Sequence, residues 1–141
     1  MYGIKIIGNL STEPTSRKVT WTSEKVDLST GEILKVSNEA IVCNFSVGAN
    51  EGHGATKSTM YFRINAWRGL ADICQKYLNK GRQVYIEGVP SVNTYIDRKD
   101  NQVKASVEVR AERIELLQDG KRLTATENET TFEEDAFETP Y

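Results

Sequence analysis

Apolar and polar residues alternate with period two through most of the first 117 positions, the signature of strands that bury one face. Tyr2, Ile4 and Ile6 alternate with Gly3 and Lys5, and Gly8-Asn9 then reads as an interruption. Ile41, Cys43, Phe45 and Val47 point one way and Val42, Asn44 and Ser46 the other, ahead of the Gly-rich polar loop NEGHGATKS. MYFRINAW, QVYIEGV and QVKASVEV read as three further strands, the last with Val103, Ala105, Val107 and Val109 on one face. One segment, GLADICQKYLNKG, changes period. Its Leu70, Ile73, Cys74, Tyr77 and Leu78 fall at i, i+3, i+4, i+7 and i+8, which predicts an amphipathic helix, with Gly81 placed to end it in the left-handed conformation.

Two segments stand apart from the five strands. Residues 18–39 read as an inserted hairpin turning at Ser29-Thr30-Gly31, and residues 91–102 as a second hairpin tip with Asp100-Asn101 near its turn. No internal repeat is evident. Five strands with one helix between the third and fourth predict an all-β fold, a five-stranded OB-fold barrel with extended hairpins, and such barrels commonly bind oligonucleotides.

The 141 residues suit one domain and a tail. The reading is a domain over 1–117, a short linker over 118–128 and an acidic, disordered tail over 129–141. Hydrophobic content of 38% and charged content of 27% are those of an ordinary globular protein. No apolar run approaches the ~18–20 residues of a membrane span. The start, MYGIKIIGNLS, lacks the regions of a signal peptide, so a cytoplasmic location is expected. Charge is divided unevenly. Residues 127–141 hold six acids and no base, and setting these aside leaves 14 acids against 18 bases in residues 1–126. A basic body with an acidic tail suits the handling of a polyanion.

Candidate catalysis is sparse. Cys43 and Cys74 sit in apolar surroundings and read as core residues, and the single histidine, His53, makes no metal-binding spacing with them. No Gly-Lys-Ser/Thr phosphate loop occurs, and Asp97 and Asp100 share a turn with Arg98 and Lys99 rather than converging as a carboxylate pair. No enzyme, cofactor or metal is expected. The informative stretch is residues 61–67, whose alternation displays Tyr61, Arg63, Asn65 and Trp67 on one face and leaves Met60, Phe62, Ile64 and Ala66 for the core. Aromatics that stack unpaired bases, with a guanidinium to follow phosphates, suit single-stranded nucleic acid. Packing of Tyr61 and Trp67 beneath the inserted hairpin, or against a second subunit, is the competing reading.

At these residues the chain resembles the bacterial-type single-stranded DNA-binding proteins shared by bacteria, organelles and many phages. The resemblance runs through KIIGNLSTEPTSR, NFSVGAN, YFRINAWRGLADICQKYLNKGRQVYIEG and SVEVRAERIELL, roughly residues 3–17 and 40–117. It implies an OB-fold, assembly as a homotetramer, and sequence-independent binding and protection of single-stranded DNA during replication, recombination and repair. By motif position Tyr61 and Trp67 resemble stacking aromatics, Arg63 a phosphate contact, Tyr95 a position usually held by Trp, and Lys5 and Arg17 basic positions near the first strand. An RNA-preferring or protein-docking OB-fold, its aromatic face used for assembly, is the alternative.

Departures from the family pattern are informative too. Asn50-Glu51-Gly52-His53 stands where a Trp is common, so His53 is either a weak stacking residue or a solvated loop residue. Ser91-Val92-Asn93-Thr94 is uncharged where Arg and Lys are usual, which assigns that role to Arg98, Lys99 and Lys104. The 18–39 insertion, with Lys18, Trp21, Lys25 and Lys35, fits a DNA, partner or subunit contact. Together with the short linker it leans towards a phage-encoded or divergent member. The end, Thr139-Pro140-Tyr141 after a run of acids, is similar to the acidic tip with which the family docks replication and repair proteins. Phe137, Pro140 and Tyr141 are its expected contacts.

Overall fold

The computed structural model describes residues 1–52, 54–118, 121–126 and 133–136. Among them the alternating segments are strands: β1 (Ile4–Leu10), β2 (Thr15–Val26), β3 (Ile33–Glu51), β4 (Ser58–Trp67), β5 (Gln83–Ile96) and β6 (Val103–Gln118). The helical period produces α1 (Gly69–Tyr77) between β4 and β5, and β7 (Lys121–Thr126) and β8 (Glu133–Ala136) follow β6. The five expected strands are β1, β3, β4, β5 and β6, and β2 is the outgoing half of the first hairpin.

Pairing closes these five into a ring. β3 pairs antiparallel with β1 and β4, β1 with β5, and β5 with β6. Parallel pairing of β4 with β6, from Phe62↔Val107 to Asn65↔Arg110, completes it. Ile6, Phe45, Val47, Ile64, Ile86 and Val109 meet inside in one buried cluster. Helix α1 adds Leu70, Ile73 and Cys74 to that cluster, and Leu78 follows just past its end, as the period predicts, whereas Tyr77 is half-exposed. Gly81 does not end the helix. Leu78, already extended, donates its N–H to the Cys74 carbonyl, and Gly81 (φ 91°) turns the chain into β5, donating to the Leu10 carbonyl at 2.8 Å.

Other details depart from the alternation. β1 runs straight through Gly8-Asn9, because Gly8 faces inward where β1 crosses β3: a Cβ there would lie 2.4 Å from the Gly48 carbonyl oxygen. Glycine is what permits that approach. Met60 and Ile41 are exposed although alternation assigns them inward. β4 meets β6 only from Phe62 onward, so Met60 lies past the rim. Ile41 lies past Val42↔Trp67, where the β3–β4 pairing ends.

Both hairpins extend as arms whose strands pair only with each other at their outer ends, Val19↔Ala40 to Val26↔Ile33 and Asn93↔Ser106 to Ile96↔Val103. The alternation of QVKASVEV is therefore real, yet Val103 is 73% exposed because no core lies beneath it. The two arms turn by the same device. Asp27 and Asp97 each donate their backbone N–H to the carbonyl of the residue five positions on, Glu32 and Gln102, and accept on Oδ1 from the N–H two residues on, Ser29 and Lys99. Gly31 and Asn101 occupy the left-handed position.

The stretch expected as a linker is sheet in its described part. β7 pairs with β6 from Arg113↔Thr126 to Gln118↔Lys121 and buries Ala125 in the core. β6 leaves β4 at Arg110, and β7 covers the edge that would otherwise lie open. Within the acidic tail, β8 pairs in turn with β7. Phe137, Pro140 and Tyr141 lie outside the described residues.

Candidate nucleic-acid interface

Strands β3 and β4 build one outward surface by register. Val42, Asn44, Ser46, Gly48 and Asn50 stand opposite Trp67, Asn65, Arg63, Tyr61 and Thr59. The core side of β4 holds Phe62, Ile64 and Ala66, all buried, which forces the four recognition side chains outward. Tyr61 is 62% exposed, Arg63 is exposed and Trp67 is half-buried, so this chain's own first hairpin does not cover Tyr61. Tyr61 and Trp67 are six residues apart on one strand, roughly 20 Å, with Arg63 and Asn65 between them.

Each aromatic is seated by its strand neighbours. A Cβ on Gly48 would lie 3.2 Å from Tyr61 Cε1, so the Tyr61 ring lies over the bare glycine backbone. Trp67 stands opposite Val42, and Val42 stands opposite Arg17 on β2, which puts Arg17, Val42 and Trp67 in one row across three strands. Val42 is buried yet belongs to no part of the ring's interior cluster, so outward side chains cover it. Between the aromatics the polar groups are tied together. Arg17 Nε donates to Asn44 Oδ1 at 3.4 Å and Asn44 Nδ2 donates to Asn65 Oδ1. At the far end Thr59 Oγ1 donates to Asn50 Oδ1 at 2.6 Å. No outward position of β3 or β4 in this register carries a carboxylate.

The remaining sequence candidates are distributed elsewhere. Tyr95, half-exposed, stands opposite Lys104 on the second arm, with Arg98 and Lys99 in its turn. Lys104 is held there: its Nζ lies 2.6 Å from Asp97 Oδ2 and 3.3 Å from Asp100 Oδ2. The Lys104 ammonium, and after it the Lys99 N–H, hold the Asp97 carboxyl below its ordinary value, and the two carboxylates raise Lys104. Lys5 is not brought to the aromatic surface. It stands opposite Glu87 on β5, four residues along β1 from Asn9, where the pairing of β1 with β3 begins. His53 lies outside the described residues.

Sequence reasoning missed Gly48 and Asn44 as parts of the surface. The signal was present, since both share the parity of Val42 and Ser46, but their pairing with Tyr61 and Asn65 is a matter of register. Among the described residues no helix is long and apolar enough to cross a membrane.

A model of the single-strand binding protein family matches residues 28–117. The chain belongs to that family. Single-stranded DNA-binding protein 1 of Chlorobaculum tepidum is 31% identical over 119 residues, covering 81% of this chain and 63% of that protein. This chain thus corresponds to less than two thirds of that relative's length. Single-stranded DNA-binding protein 2 of the same organism is 27% identical over 139 residues, covering 95% and 82%. Among solved structures, the small single-stranded DNA-binding protein of Streptomyces coelicolor aligns with a TM-score of 0.58 at 19% identity, over 82% of this chain and 94% of that one. That likeness shows the fold, the OB-fold expected from the strand order. The Plasmodium falciparum SSB, solved in complex with single-stranded DNA, aligns with a TM-score of 0.52 at 25% identity, over 78% and 85%. The family match covers β3 and β4 whole, and with them every residue of the aromatic surface except Arg17.

Proposed function

We propose that this chain binds and protects single-stranded DNA without sequence preference during replication, recombination and repair, and catalyses nothing. The observation that carries the reading is the β3–β4 surface, two aromatics flanking a guanidinium and an amide on a face without carboxylates. Bases stack on Tyr61 and Trp67, and Arg63 and Arg17 neutralise phosphates. Tyr95, Arg98 and Lys99 extend the path along the second arm, with Lys5 and His53 as lesser contacts. Stacking uses the π-face common to all bases, so it carries no sequence information.

The working form is a homotetramer in the cytoplasm, associated with the nucleoid or with replicating phage DNA. Exposed apolar side chains on two further surfaces support assembly: Ile7 on β1, and Val92, Ile96 and Val103 on the second arm. The acidic end, through Phe137, Pro140 and Tyr141, docks basic grooves of replication and repair proteins.

Titration of oligo(dT) against tryptophan emission tests the reading. Emission is quenched on binding, and affinity falls with salt at a log–log slope of about −0.7 per phosphate neutralised. Trp67→Ala lowers affinity by the worth of one stacked base, ~1–3 kcal/mol, for every sequence alike. Absence of binding at low salt defeats the proposal, and preference for poly(U) in direct competition favours an RNA-binding role instead.

A further inference from the structure

The first arm separates its charges by face. Register places Arg17, Val19, Trp21, Ser23 and Lys25 of β2 beside Val42, Ala40, Asn38, Val36 and Leu34 of β3. This face has two cations and no acid. The opposite face carries Lys18, Glu24, Lys35 and Glu39, two of each sign, with Lys18 Nζ 3.2 Å from Glu39 Oε2. A solvated arm has no need of such segregation, and a neutral or basic partner face would not select it over the balanced side, whereas a polyanion continuous with the β3–β4 surface would.

The cationic face is also continuous with the proposed DNA surface. Its β3 positions have the parity of Asn44, Ser46 and Gly48, and its first row is Arg17–Val42–Trp67. Beyond that row the floor is apolar and dry. Ala40 and Val42 are buried although neither belongs to the interior cluster, and Val19 is half-buried beside them. Trp21, 39% exposed, stands at the end of this floor, four residues along β2 from Arg17, or roughly 13 Å.

We infer that the first arm is a second segment of the DNA path, on which Trp21 stacks a base and Lys25 neutralises a phosphate after the strand leaves Trp67. The inference rests on the proposed single-stranded DNA binding, and it assigns to the cationic face an occupant of the chemistry that its charge complements.

The chain has two tryptophans, so Trp67→Phe in the full-length protein leaves Trp21 as the only indole reporter. Long oligo(dT), its binding followed separately by anisotropy of an end label, is expected to quench Trp21 emission in that variant. Trp21→Ala is expected to weaken long oligo(dT) roughly tenfold, with Trp21→Phe recovering most of it, and to leave oligomers too short to pass Trp67 unaffected. Lys25→Ala is expected to flatten the salt slope by about 0.7. Unchanged Trp21 emission with the label fully bound overturns the inference while leaving the Tyr61–Trp67 surface standing. A change of subunit number in light scattering for Trp21→Ala also overturns it, by making the face a contact between copies. Failure of the wild type to bind any oligo(dT) removes the parent reading, and this one with it.

Discussion

Two glycines at one strand crossing do different work. A Cβ at Gly8 would meet backbone, the Gly48 carbonyl oxygen at 2.4 Å, which cannot move without parting β1 from β3. Gly8→Ala is therefore expected to destabilise the protein by about 1–3 kcal/mol or more, read as a lowered midpoint in urea. A Cβ at Gly48 would meet the Tyr61 ring at 3.2 Å and the Thr59 methyl at 3.3 Å, and the Tyr61 ring is open to solvent on its other side. Gly48→Ala should leave the midpoint nearly unchanged while tilting Tyr61 and weakening oligo(dT) binding severalfold. Equal losses of stability in the two variants would contradict this division. Cys43 and Cys74 are both fully buried, and burial pushes both thiols up, Cys74 further. Neither should react with a thiol-specific reagent at neutral pH until the chain unfolds, and then both should, which makes labelling a count of global opening.

At the scale of the element, the arms are alike in their turns and unlike in their charge. Asp27 is held below its ordinary value by the Ser29 hydroxyl and N–H, and Asp97 by Lys104 and the Lys99 N–H. A depressed carboxyl stabilises the turn above its unfolded value, 3.8, and that contribution is lost as pH falls through the lower folded value. Lys104, raised above 10.5, contributes below that value and ceases to as pH rises through its folded value. The tip of the second arm should thus keep its amide chemical shifts across the neutral range and change only at the two extremes. The same ion pairs withhold Lys104 from phosphate. Asp97→Asn combined with Asp100→Asn keeps the turn's amide-accepting oxygens and releases the ammonium, and should steepen the salt dependence of binding by about 0.7. An unaltered slope would mean that Lys104 never reaches the strand.

The molecule as a whole sets a cationic surface against an acidic end. Six carboxylates within the last fifteen residues are available to compete with DNA for the body's bases. The pairing of β8 with β7 returns part of that segment to the sheet. Removal of residues 127–141 should tighten oligo(dT) binding at low salt, with the gain fading as salt screens the competition. Equal or weaker affinity in the truncated protein would count against autoinhibition by the tail.

Local pattern was enough for strand, helix and the outward set on β4. Period two needs only one buried face, and Phe62, Ile64 and Ala66 can be satisfied in one way, which leaves Tyr61, Arg63, Asn65 and Trp67 for solvent. The turns of both arms were legible for the same reason, since an Asp followed by Gly or Asn at the left-handed position is a local preference. What lay beyond the sequence was everything set by which strands meet. Alternation does not say where a ring ends, so Met60, Ile41 and Val103 carry core-like periodicity with no core against them. It does not say that Gly8 is a crossing rather than a break. The strand at Lys121–Thr126 exists because β6 departs from β4 and leaves an edge to be covered, and β4 ends more than fifty residues earlier in the chain. The row of Arg17, Val42 and Trp67 is likewise a product of register between strands, where neighbours in space are separated by twenty-five residues in sequence. Periodicity reports what a single strand buries, and only pairing decides what its exposed side is next to.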